Sequence, residues 1–159
     1  MDLPGIIVLL ALCGIVALEA WRGGGKALFD AVALVIAAKL AGALAAKFAV
    51  GAGNNEALGM ALLFILLGGG LLVGAKLLAD TTLWSFDPFD SVMGGVFGVV
   101  AGGAAIHVIL RVLLLAGHGT PLADYITASD VAYQFVTFQA FHDAVHWLRN
   151  LSGKEYEVT

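Results

Sequence analysis

The chain has 159 residues, of which 60% are hydrophobic and 13% charged, with 21 glycines, a net charge of −4 and a mean hydropathy of +0.95. Ordinary soluble domains are nearer half apolar and a quarter charged, so that balance excludes one. The negative net charge, with no basic patch, excludes nucleic acid as a partner.

The pattern predicts an all-α, polytopic membrane protein. Apolar runs of about 18 residues or more read as membrane-spanning helices, and nothing here shows the ten-residue alternation of barrel strands. The first segment, residues 3–18, is followed by Glu19, Trp21 and Arg22 at a membrane boundary. Only Met1 and Asp2 precede it, which is not the basic start of a cleaved leader, so it reads as a retained span. The lone Cys13 allows no disulfide within the chain and reads as a small buried hydrophobe.

The second segment, residues 27–48, is interrupted by Asp30, Lys39 and Lys47; the third covers 57–79 and the fourth 91–117. The links "GGGK" (23–26) and "GAGNNE" (51–56) read as turns, since neither has the context of a phosphate-binding loop. Basic residues near the segment ends set the orientation. Arg22, Lys26 and Lys76 lie near the first and third connections, against Lys47 at the second, which suggests cytoplasmic first and third connections and both termini outside.

"DSVMGGVFGVVAGG" (90–103) carries Gly94, Gly98 and Gly102 four residues apart, hence on one helix face. In lipid, apolar burial no longer drives helices together, and small residues that allow close approach take over. Gly70 and Gly74 repeat the device in the third segment, and Ala38, Gly42 and Ala46 in the second. The expectation is a bundle packed through small-residue seams, with the bilayer around it and a second copy or other membrane subunits as partners.

"GIVALEAWRGGGKALFD" (14–30) and "DPFDSVMGGVFGVVAGG" (87–103) resemble the two signatures of the colicin V production protein family. The matching positions are Arg22, Gly23, Lys26, Asp90, Gly94 and Gly98. The resemblance implies a small bacterial inner-membrane protein associated with toxin export and envelope integrity, in which termini lying outside would be periplasmic.

Among polar residues, Lys39 lies about 18 Å into its segment, where a cation is costly, and it suggests a transport path or an anionic partner. His107, one turn after Gly103, raises ligation of a haem or chlorophyll, beside the plainer expectation of a hydrogen-bonded histidine. Arg111 suits interfacial snorkelling or an anionic headgroup, and His118 a turn. Of Asp80, Asp87 and Asp90, the last is placed to cap the fourth helix and Asp87 precedes a proline turn, so no metal site is expected.

Residues 1–119 thus form a membrane domain and 120–159 a C-terminal amphipathic helix with a polar tail. Thr127 and Asp130 suggest its start, and it runs to about Leu151. Phe138, Phe141, Ala144, Val145 and Leu148 form its apolar stripe, and Gln139, His142, Asp143, His146 and Arg149 the opposite face. That stripe does not continue before residue 137, which implies a bend, or a first half buried on more than one side. Nothing assembles a nucleophile, a base and an oxyanion site, so the expected role is non-enzymatic, with no cofactor. The protein is expected to act as an oligomer or as a subunit of an envelope complex. A small transporter or channel using Lys39 and an accessory cofactor subunit using His107 are the alternatives.

Overall fold

The computed structural model describes residues 2–50, 53, 55–82 and 84–138. These form α1 (Leu3–Arg22), α2 (Gly24–Ala49), α3 (Glu56–Thr82), α4 (Asp90–Ala116), α5 (Pro121–Thr127) and α6 (Asp130–Thr137). No strand occurs among the described residues, and the first four helices are long and apolar enough to cross a membrane. Each of α2, α3 and α4 has 26 or 27 residues. At about 1.5 Å per residue they outspan a hydrocarbon core of about 30 Å and carry their ends into the interfaces.

The helices start and stop where local chemistry dictates. Pro4 sits in the first turn of α1, where its missing N–H has no helical partner to lose. Helix α1 runs past residue 18 as far as Arg22, and Gly23 alone separates it from α2. Its φ of +92° reverses the chain, while its N–H closes α1 on the Glu19 carbonyl at 3.0 Å. The "GGGK" link is therefore a helix junction rather than a loop. At the next junction the Asn55 side chain accepts the Leu58 N–H at 3.0 Å, capping α3. Gly51, Ala52 and Asn54 of that link lie outside the described residues.

Helix α4 lies between α1 and α2, and α2 lies between α4 and α3. One apolar cluster joins Val8 of α1, Ile106 and Leu110 of α4, Ile126 of α5 and Ala132 of α6. A second joins Ala41 and Ala45 of α2, Met60 and Leu63 of α3, and Val108 of α4. On α2 the fully buried line is Ala37, Ala41 and Ala45. Their short side chains let α3 approach so closely that a methyl on Gly59 would stand 3.1 Å from the Ala45 carbonyl oxygen. Cys13 faces outward instead of into the bundle, since α1 turns a different side toward α4.

After α4 the chain does not form one long helix from Thr127. The Thr127 hydroxyl turns back to the Ala123 and Asp124 carbonyls, at 3.0 and 3.1 Å, and closes the short α5. The cap of α6 is Ser129, whose fully buried hydroxyl accepts the Ala132 N–H at 3.3 Å. Helix α6 ends at Thr137, with Phe138 at φ +55°, the point where the sequence periodicity changes face. Beyond it, Gln139, Phe141, His142, Asp143, Ala144, Val145, His146, Leu148, Arg149 and Leu151 lie outside the described residues.

Candidate functional site

Two polar regions lie within this apolar bundle, one at the start of α2 and one beside its second half. The first forms where α1, α2 and α4 meet. Arg22 reaches Glu19 at 2.7 Å and Asp30 at 2.5 Å, and both carboxylates are buried. The Oε2 atom of Glu19 is buried without a hydrogen-bond partner among the described residues. One guanidinium thus serves two carboxylates. Arg22, Lys26, Asp30, Lys76 and Asp80 line a recess of about 260 Å³ beside it, and Lys26 approaches Asp80 at 3.7 Å.

The adjoining junction is built from glycines and one acid. Asp90 does not cap its own helix; its Oδ1 accepts the Gly24 N–H at 3.0 Å and the Phe86 N–H at 3.1 Å. It therefore satisfies the free N-terminus of α2, where a negative charge also suits the helix dipole. The glycines make room for this contact. A methyl on Gly24 would stand 2.7 Å from Met93 Cβ, and one on Gly25 would lie within bonding distance of the Trp84 carbonyl oxygen. Trp84 and Phe86 stack with centroids 5.7 Å apart, and Phe29 and Phe97 extend the group onto α2 and α4. Asp87 precedes Pro88 in a turn, and no cluster of three metal-ligating side chains occurs among the described residues.

The glycine seams fall on different surfaces. Gly94, Gly98 and Gly102 face α1, where added methyls would stand 2.5 Å from the Glu19 carbonyl, 3.0 Å from Val16 Cα and 2.8 Å from Leu12. Among the described residues, none stands within 4 Å above Gly70 or Gly74. On α2, Ala38 and Gly42 are half-buried and Ala46 is exposed, one position round from the buried alanine line.

The second polar region is a pocket of about 320 Å³ between α2, α4 and the end of α6. Its wall includes Lys39 and Gly42 from α2, His107 and Arg111 from α4, and Thr137 and Phe138. His107 Nδ1 donates to the Phe135 carbonyl, near the end of α6, at 2.8 Å. The Phe138 ring meets the imidazole edge-on at a centroid distance of 4.9 Å. Above Gly103 stands the Phe135 ring, 3.9 Å from where a methyl would be, so α6 fills the space considered for a flat cofactor. His118 lies in the exposed turn after α4.

Sequence reasoning singled out Arg22, Gly23 and Asp90, and the fold gathers them at one junction. It passed over Glu19 and Asp30 as a pair; two acids flanking one arginine across a helix reversal were the available signal. Four membrane-length helices, a buried ion triad and a basic pocket define a polytopic helical membrane protein. No family model, curated protein or solved structure matches this chain.

Proposed function

We propose that the protein is a non-enzymatic subunit of a membrane assembly, either a homo-oligomer or part of a larger envelope complex. The observation that carries this reading is the outward face of α3. Gly70 and Gly74 lie four residues apart with open space above both, flanked by outward-facing Leu66, Val73 and Leu77. Each glycine weakens a helix by about 1 kcal/mol relative to alanine. The seam on α4 offsets that cost by close packing on α1, whereas the one on α3 meets no other described helix of its own chain. A helix from another subunit fits such a strip in lipid.

The resemblance to the colicin V production family points the same way, toward a bacterial inner-membrane component linked to toxin export or envelope integrity. In this chain the two stretches that carry the resemblance meet where Asp90 stands beside Gly23. The test is the mass of gently extracted protein, with an absorption spectrum on the same sample. A colourless multiple of 16.4 kDa, or a larger complex, is expected, and Gly70→Leu with Gly74→Leu should reduce it to the single chain. A wild-type protein that stays a single chain in native-like membrane overturns the proposal.

A further inference from the structure

We propose that Glu19 is a reversible proton-binding site of the bundle, reached from the recess beside Arg22. Glu19 is only 5% exposed, and its side chain lies against the glycine seam of α4. A methyl on Gly98 would stand 3.0 Å from its Cβ and 3.5 Å from its Cγ. The bare backbone at that position is what lets the acid sink between α1 and α4. Ionisable side chains buried in membrane bundles are costly and mark ion or proton sites.

The two carboxylate oxygens differ in their surroundings. Oε1 takes the Arg22 guanidinium at 2.7 Å, whereas Oε2 is shut from solvent with no hydrogen-bond partner among the described residues. Nor does Arg22 serve Glu19 alone, because the same Nη1 atom also reaches Asp30. A carboxylate that shares its cation and leaves one oxygen bare is poorly compensated, and a proton on that oxygen removes the buried charge. The step balances simply: the carboxylate takes H⁺ from water in the recess and becomes a neutral carboxyl. Arg22 is then left paired one to one with Asp30. A metal ion does not suit the place, since Oε2 offers almost no accessible surface and Glu19 does not line the recess. Arg22 and Asp30 do line it, and the Arg22 side chain is 34% exposed, so movement of that one side chain opens the way to Glu19. The other charges nearby are Lys26 on α2, Lys76 and Asp80 on α3 across the recess, and Asp90 beside Gly23 at the start of α4. Helix α6 meets α1 at its far end, beside Val8.

The reading is independent of the open face on α3. Infrared spectra of the full-length chain in lipid, titrated from about pH 9 to about pH 5, read the carbonyl stretch of a protonated carboxyl while ordinary exposed acids stay mostly ionised. Wild type should gain this band as the pH falls. Glu19→Gln, which matches the protonated form in shape, should lack it. Asp30→Asn gives Arg22 wholly to Glu19, so the titration should move about one pH unit or more lower, the size of a close charge effect. Exchanging potassium for sodium should leave the titration in place. The amide absorption of the same samples reports helix content and separates loss of the site from loss of the fold. A wild-type chain without the band, a helical Glu19→Gln chain that keeps it, an Asp30→Asn titration unmoved or moved to higher pH, or a titration displaced by sodium overturns the proposal.

Discussion

Asp90 Oδ1 accepts the backbone N–H of Gly24 across 66 positions of sequence, at 3.0 Å. The same atom takes the Phe86 N–H at 3.1 Å, so one oxygen anchors the start of α2 and the loop leading into α4. Because both bonds fall on Oδ1, the acceptor geometry matters as well as the charge.

Asp90→Ala should therefore lower the unfolding midpoint of the bundle, since two backbone donors lose their partner. Asp90→Asn keeps an acceptor oxygen and should lose about half as much. Unfolding of both variants in mild detergent reads the difference. Equal losses would mean that the charge alone matters.

Glycine substitutions should divide by surface rather than by spacing. Gly25→Ala and Gly94→Ala drive a methyl into the Trp84 and Glu19 carbonyls and should cost about 1–3 kcal/mol each. Gly14→Ala and Gly70→Ala enter open space and should leave the stability of the single chain unchanged or slightly higher. Thermal unfolding of the four variants decides it, and a destabilised Gly70→Ala chain would contradict the open face on α3.

Composition and run length carried most of the fold into the sequence, because every membrane span must satisfy its own backbone and so must be long, apolar and helical. Packing was less legible. Gly94 and Gly70 carry the same four-residue spacing, yet one meets α1 and the other meets none of the described residues. Spacing defines a face but not what lies opposite it. On α2 the buried line, Ala37, Ala41 and Ala45, differs by one position from the stripe read at Ala38, Gly42 and Ala46. A helix apolar all round gives the periodicity nothing to lock onto. The basic pocket was half legible, since Lys39, His107 and Arg111 each stood out alone. Their meeting depends on α2 and α4 running side by side, which no local pattern encodes.

The ion triad yields a charge-specific expectation. Arg22→Gln leaves Glu19 and Asp30 buried without their cation and should destabilise by about 3 kcal/mol, the low end for a broken buried pair because Arg22 is partly exposed. Adding Glu19→Gln and Asp30→Asn to that variant should restore much of the loss. Lys26→Gln removes only an exposed contact at 3.7 Å and should change stability by less than about 1 kcal/mol. A double-mutant cycle in detergent measures these couplings, and failure of the neutral triple variant to recover would assign the loss to packing.

The last expectation concerns pH and the docking of α6. The Ser129 hydroxyl donates to the Asp2 carboxylate and holds its pKa below the ordinary value, against a smaller opposing effect of desolvation. A carboxylate with a lowered folded pKa stabilises above its unfolded value, and that stability is lost as pH falls through the folded one. Asp2→Asn should therefore weaken the protein at neutral pH, while the difference from wild type should shrink as pH drops below about 4. The Ser129→Ala chain should lose more than Asp2→Asn at every pH, because the same hydroxyl also caps α6 through the Ala132 N–H. Unfolding midpoints of the three chains at neutral and acidic pH test the link. A gap between Asp2→Asn and wild type that stays constant across that range would show that the ionised carboxylate is not what holds Ser129.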